Sequence, residues 1–485
     1  MLKAKVLLFL NNIMPEKKLQ SAPYFKNIIW VATGFLITLL IFLLIKTGIR
    51  ESYCTLITFS LTCFLFLYSI NNRKKYEKQI TKIVGGILIF LIVYFIYRLF
   101  ITYLRIPQWD YLCFYLFGHI GTSGLNFYDP HAFFQVFNEL NLHTRVDSSF
   151  IPEIVNVGFW YPPPSMFLYL PLGILDLYSG YYIWQTILIL FLIADICLLL
   201  KYHLFKIHST FNKSITSFLF IILLLLFPGF ISPIESSQTL TIFLFLLILL
   251  IRYLDNWKSG VFLVLLIVIK PLAAIFALYF LLFKKWKILF SSLMTGLVIV
   301  AVSIIFFGYN SFLDFLISPP TNRIPITVLY ESANQYLDAV LSRVQYRISG
   351  FVNYETIKTA TLILSVIIVA ITLYFSRLLF KKSHVLSFMI FLPMTLLIYP
   401  NTGFTYVLIL IPVFLYLFNQ KPFEDNALNF VLLFILYSIG YYSLFLLDLV
   451  LWIILILWSL PHSYNYLLTL GLVKVKASLF SKRMG

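Results

Sequence analysis

The chain has 485 residues, of which 61% are hydrophobic, 19% aromatic and 11% charged, with a mean hydropathy of +0.93 and a formal charge of +17. Soluble domains carry about 25% charged residues, so a water-soluble globular fold is excluded and lipid is the main solvent of this chain. The positive charge does not signal nucleic acid, because the Lys and Arg cluster in short stretches between apolar runs, where they set topology and meet anionic membrane lipids.

The first residues carry Lys3, Lys5, Lys17 and Lys18 without a short apolar core and small-residue cleavage site, so no removable signal peptide is expected. Beyond them, a helix needs roughly 20 mostly apolar residues to cross about 30 Å of hydrocarbon. Such stretches fall at 28–46, 53–71, 83–104, 181–200, 214–231, 237–254, 288–307, 357–377, 384–400, 403–419, 427–446 and 449–470. The basic segment NNRKKYEKQITK at 71–82 belongs in the cytoplasm by the positive-inside rule, as does the tail with Lys474, Lys476, Lys482 and Arg483. Orientation then closes only if two apolar stretches do not cross. Residues 165–178 are read as a helix on the outer surface. Residues 259–283, broken at Lys270-Pro271, are read as a hairpin of two half-length helices.

The expectation is an all-α polytopic membrane protein with about 12 spans, both ends inside, in a plasma (inner) membrane. It divides into an N-terminal region at 1–82 with two extra spans, a core at 83–419, and C-terminal spans with a basic tail at 420–485. Two long loops, 105–180 and 309–356, fall on the outer face together with most of the 19 acids. They are rich in Tyr, Phe and Trp, the opposite of a disordered composition, so any chemistry faces outward.

Within the first loop, WDYLCFYLFGHIGTSGLNFYDP at 109–130 begins with a single carboxylate, Asp110, followed by Tyr111, Tyr115 and Tyr128. On a helix, Phe114 and Phe117 share its face. Desolvation between headgroups and rings raises a carboxylate's pKa and its strength as a base; the plainer reading is a surface acid paired with Arg105. Trp160-Tyr161 and three prolines form a stiff joint before an apolar helix, suited to lining a pocket or simply to joining segments. Gln238, in Glu235-Ser236-Ser237-Gln238, offers an amide to sugar hydroxyls, with Ser236 as a helix cap. Lys270 inside LVLLIVIKPLAAIFALYF is costly in a membrane and marks either a site or a side chain that snorkels. In 331–350, Arg343 and Arg347 stand one turn apart, able to fork onto a phosphate, and Asn334 and Asp338 are spaced likewise. A solvated amphipathic helix explains that pattern as well. His119, His131 and His143 lack short metal-ligand spacing, and Cys54, Cys63, Cys113 and Cys197 include no C-x-x-C pair, so no metal is expected.

Taken in order, these elements resemble glycosyltransferase family 87, polytopic enzymes of the GT-C type. Asp110, Tyr115, Gly124 and Tyr128 match its early Asp-Tyr-Gly-Tyr pattern, and Tyr161-Pro162-Pro163 its Tyr-Pro-Pro element. Gln238 matches its Gln turn, Lys270-Pro271 its Lys-Pro, and Asn334-Gln335-Tyr336 with Arg343 its Asn-Gln-Ser and Arg. The likeness runs from about residue 83 to about residue 419. In the late stretch YPNTGFTYVLILIP, Gly403 stands where the family has Trp and Thr405-Tyr406 where it has His, so Tyr406 is the substitute.

The resemblance implies inverting transfer of a hexose, typically mannose, from a polyprenyl-phosphate donor to a lipid or glycan acceptor on the extracytoplasmic face. Asp110 would be the general base, and Lys270 or Arg343 would stabilise the leaving lipid phosphate; no cofactor is implied. The alternatives weighed are a flippase for lipid-linked sugars and a glycan polymerase or ligase. Few acids lie within the spans, which disfavours the first.

Overall fold

The computed structural model describes residues 77–104, 107, 109–142, 159, 161–201, 228–317, 335–400, 403–418 and 443–459. The expected spans at 28–46 and 53–71, most of 214–231 and 427–446, and the end of 449–470 lie outside the described residues, as does Asn334. Among the described residues every regular element is helical. The chain forms two compact units. One includes residues 1–102, whose described part is helix α1 (Glu77–Tyr103) up to Thr102. The other comprises residues 103–206, 232–418 and 439–485, and it holds every site residue discussed below.

In the second unit, α2 (Trp109–Thr122) and α3 (Pro130–Glu139) come first. Asp129 caps α3, its carboxylate accepting from the His131 N–H at 2.9 Å. Then follow α4 (Leu177–Lys201), α5 (Pro228–Glu235, in this unit from Ser232), α6 (Leu240–Arg252), α7 (Lys258–Ile269), α8 (Ala277–Leu282) and α9 (Trp286–Phe307). The remaining helices are α10 (Tyr309–Ile317), α11 (Leu337–Ser349), α12 (Tyr354–Phe380), α13 (His384–Met389), α14 (Phe391–Ile398), α15 (Ile411–Phe418) and α16 (Leu444–Ser459).

Among the described residues, four helices are long and apolar enough to cross a membrane: α1 from Lys82, α4, α9 and α12. In α4 the buried positions Tyr181, Trp184, Leu188, Leu192, Asp195 and Leu199 recur every three or four residues and form one stripe, while Ile183, Leu190 and Ile193 face outward. An outward apolar face is tolerated where lipid covers it. Three expected spans are shorter or broken. Helix α6 has 13 residues, about 20 Å at the α-helical rise, because the chain turns at 236–239 immediately before it. The stretch 384–400 divides at Ile390, where Pro393 has no N–H to give to Met389. Residues 404–410 are wound as a 3-10 helix ahead of α15, and Pro412 likewise leaves Leu408 without an i→i+4 partner.

The break at Lys270 is where the sequence places it. Helix α7 stops at Ile269, Pro271 opens a 3-10 segment (Pro271–Phe276), and α8 continues to Leu282. The Lys285 ammonium meets Asp255 at 2.6 Å, so the two ends of this stretch lie side by side and the chain folds back on itself. His384 also reaches Asp255, at 2.9 Å, and stacks on Phe380, which stacks on Phe283 with centroids 3.9 Å apart.

Residues 165–178 do not form the single apolar helix the sequence suggests, and from Leu177 they belong to α4. One α-turn (Met166–Tyr169) lies between two 3-10 turns (Pro163–Ser165 and Leu170–Ile174). Pro171 removes a donor, and Gly173 lets the backbone press directly on Gly118 of α2. A Cβ on either glycine would collide with main-chain atoms of the other segment, which cannot swing aside as a side chain does. By contrast, Gly296 of α9 has open space around it. Gly118→Ala is therefore expected to cost about 1–3 kcal/mol through overpacking. Gly296→Ala is expected to be neutral or stabilising by up to about 1 kcal/mol. Thermal unfolding of the two variants in the same detergent checks this contrast.

Candidate active site

Asp110 stands in the first turn of α2, where the helix dipole favours negative charge, and it is partly buried. The helix is laced to the chain at the start of α4. Tyr111 donates its hydroxyl to the Leu177 carbonyl at 2.9 Å and Tyr115 donates to that of Leu175 at 3.3 Å. Phe114 and Phe117, expected on the face of Asp110, are buried; the Phe114 ring stacks on Tyr169 at 4.6 Å and meets Trp184 edge-on. These contacts fix the rotation of α2 and with it the position of the carboxylate.

Gln238 arrives from the turn between α5 and α6. Ser237 occupies the left-handed region at φ +62°, unusual for a residue with a Cβ, and its surroundings compensate. Trp184 donates its indole N–H to the Ser237 carbonyl at 2.9 Å, and the Gln185 amide donates to Ser237 Oγ at 2.6 Å. The Gln238 N–H is taken by the Pro233 carbonyl at 2.7 Å. From this turn Gln238 Nε2 donates to Asp110 Oδ2 at 3.1 Å, and its Oε1 accepts from Thr405 Oγ1 at 3.0 Å. Ser236 does not cap α6; its hydroxyl donates to the Ser232 carbonyl at 2.9 Å.

Lys270 is the C-cap of α7, with extended backbone (φ −146°, ψ 117°) as a residue before proline prefers. Its side chain is only 5% exposed. Nζ donates to the Tyr406 hydroxyl at 3.0 Å and lies 4.7 Å from the centre of that ring and 5.8 Å from that of Tyr161. Aromatic faces stabilise a cation by about 0.5–2 kcal/mol each. Among the described residues no carboxylate comes within ion-pairing distance of it. Tyr406 and Thr405 both come from the 3-10 segment Phe404–Leu410, which follows Gly403.

Burial pushes the Asp110 carboxyl up to about 6, against the opposing pull of the Gln238 amide and the Lys270 charge. The ammonium is thus close enough to act on the carboxylate through space, yet not close enough to consume it in a contact pair. A group poised near neutrality is what general base catalysis requires.

The other expected residues fall elsewhere. Tyr115 and Tyr128 are buried, and their hydroxyls serve the backbone: that of Tyr128 donates to the Tyr161 carbonyl at 2.7 Å, steadying the ring beside Lys270. Gln335 Oε1 accepts from Ser443 at 3.2 Å. Arg343 is partly buried and Arg347 exposed on α11, which packs along α12. Burial and the neighbouring Arg347 depress the pKa of Arg343. Neither arginine is among the groups that shift the Asp110 carboxyl. Among the described residues no three His, Cys, Asp or Glu side chains converge as metal ligands would. Sequence reasoning did not find the supports Trp184, Gln185 and Tyr169; a Gln and a Trp adjacent on the buried stripe of an apolar helix are the signal for the first two.

The site thus sets a carboxyl pushed up to about 6 within the field of a buried Lys270, in a chain with helices able to cross a membrane. Residues 159–400, about half of the chain, match the model of glycosyltransferase family 87, and the chain belongs to that family; GT-C placement is consistent with it. It is a glycosyltransferase. No curated protein and no solved structure matches the chain. Tyr161, Gln238 and Lys270 lie inside the matched residues, whereas Asp110, Thr405 and Tyr406 lie outside them.

The raised pKa has a stability consequence. The folded protein holds the Asp110 proton up to about pH 6, whereas the unfolded chain releases it near the ordinary value of 3.8. Raising the pH between these values therefore weakens the fold, and above about pH 6 the loss is constant. Asp110→Asn is expected to stabilise the protein at neutral pH by about 1–3 kcal/mol. That gain should shrink as the pH falls towards 4. Melting curves of both proteins from acidic to neutral pH read the effect directly.

Proposed function

We propose that the enzyme transfers a hexose, mannose being the leading candidate, from a polyprenyl-phosphate donor to a lipid or glycan acceptor on the extracytoplasmic face of the plasma membrane. The observation that carries this reading is the gathering of Asp110, Gln238, Lys270, Tyr406 and Tyr161 from five separate stretches of chain. Such a set has one group to accept a proton and one to hold a phosphate, and it has aromatic faces against which a sugar ring can stack.

The mechanism is a single displacement with inversion. The acceptor hydroxyl gives its proton to Asp110 as its oxygen attacks the anomeric carbon, and the bond from that carbon to the lipid phosphate breaks. The electron pair leaves with the phosphate, whose growing negative charge is met by the Lys270 ammonium. Tyr406 and the Tyr161 ring hold Lys270 in place beforehand, so little reorganisation accompanies the step. An oriented charge in a site of low dielectric is typically worth 10²–10³ in rate, about 2.7–4 kcal/mol.

Arg343 and Arg347 are assigned in this reading to the phosphate of the approaching donor or acceptor, along with Gln335 and Asn334 on the same outer segment. The amphipathic α11, with its Arg pair one turn apart, supports that assignment.

The test uses purified protein in lipid vesicles with a panel of polyprenyl-phosphate sugars and a glycolipid extract, following release of lipid phosphate. The wild type should release it with one donor. Asp110→Asn should lose nearly all transfer, and Lys270→Met should lower kcat by about 10²–10³. kcat/KM should rise with pH through about 6, as the carboxyl loses its proton. Equal release by wild type and Asp110→Asn would remove the base from the mechanism. Absence of release from every donor would reject this donor class.

A further inference from the structure

The carboxylate of Asp110 ends a short chain of hydrogen bonds that no proton has to travel. Thr405 Oγ1 lies 3.0 Å from Gln238 Oε1, and Gln238 Nε2 lies 3.1 Å from Asp110 Oδ2. We infer that Thr405 is a positioning residue for the base, its hydroxyl anchoring the Gln238 amide against Asp110 in both protonation states of the carboxyl. The inference rests on the reading of Asp110 as the base.

The physical argument starts from the amide, which has a donor end and an acceptor end of nearly equal shape. The backbone of Gln238 is held at Pro233, and the preceding Ser237 by Trp184 and Gln185. What remains free is the half-turn of the amide about its last bond. With the Thr405 hydroxyl donating to Oε1, the NH₂ group is presented to Asp110, which suits the ionised carboxylate. When Asp110 has taken a proton from the acceptor, the opposite arrangement is favoured. The new Asp110 O–H donates to Oε1, and Nε2 donates to Thr405 Oγ1. A hydroxyl serves in both arrangements because it both donates and accepts; valine serves in neither, and serine serves in both. The transferred proton stays on Asp110 while the amide and the hydroxyl rotate.

Other groups act on Asp110 from every side. Cys113 stands on the same helix, Tyr169 comes from the 166–169 turn, Tyr406 from the 3-10 segment and Lys270 from the end of α7. None of them contacts the Gln238 amide oxygen, so Thr405 has a distinct role among them. Tyr406 adjoins it in sequence, which makes Tyr406→Phe the necessary companion variant.

The test is an infrared titration of the Asp110 carboxyl in the purified protein, taken as the difference from Asp110→Asn, together with pH profiles of transfer. For Thr405→Val the midpoint is expected to move up by about half a pH unit or more, because the charge-assisted bond from Gln238 to the ionised carboxylate, the stronger of the two arrangements, loses its anchor. The acid limb of kcat/KM should move with it, and kcat should fall about tenfold. Thr405→Ser should overlay the wild type, and Tyr406→Phe should lower activity without reproducing the Thr405→Val shift. An unmoved midpoint in Thr405→Val, or the same shift in Thr405→Ser, would overturn the inference. Should Thr405→Val fail to fold, Thr405→Ala takes its place under the same criteria. Full transfer by Asp110→Asn would instead reject the underlying reading, a result distinct from loss of transfer with an unmoved Thr405→Val midpoint.

Discussion

The site depends on one constraint: an ammonium group is buried among apolar helices and, among the described residues, no carboxylate is in contact with it. A buried charge costs several kcal/mol unless hydrogen bonds and nearby charge offset it. Lys270 is offset by a tyrosine hydroxyl, two ring faces and the field of Asp110 rather than by a salt bridge. Such a cation retains attraction for an incoming anion. The Pro271 break that frees the chain at this point also places Lys270 midway along a stretch whose two ends are tied together by Asp255 and Lys285.

Much of the remaining architecture serves to hold that arrangement still. The collision-tight approach of Gly118 and Gly173 seats α2 against the 163–175 segment, so that Tyr169 and Phe114 stack behind the carboxylate. Trp184 and Gln185 on α4 stabilise a left-handed serine, and that backbone conformation aims Gln238. The Tyr128 hydroxyl holds the carbonyl of Tyr161. Carboxylate, amide and ammonium are therefore positioned by rigid packing and by hydrogen bonds to the main chain, as a preorganised electrostatic site requires.

The sequence made the chemistry-bearing residues legible because each violates its local pattern. Asp110 is an acid in an aromatic helix, and Lys270-Pro271 is a charge and a helix breaker inside an apolar run. Their convergence was not readable from periodicity, since Asp110 and Gln238 are brought together from positions 128 residues apart. Helix lengths were less legible. Apolar composition does not distinguish a full span from two short helices, and the divisions at Ile390 and in 404–410 follow from single prolines and local winding. The backbone partners of Tyr115 and Tyr128 were not legible for a related reason. A tyrosine that lines a pocket and one that satisfies a backbone carbonyl look alike in sequence, and only burial with a partner separates them.

The most direct measurement of the central claim is an experimental structure with a non-transferable polyprenyl-phosphate sugar analogue bound. The expected result places the phosphate within about 4 Å of Lys270 Nζ, with the anomeric carbon turned towards Asp110. A phosphate bound out of reach of Lys270 Nζ, with the sugar remote from Asp110, would contradict it.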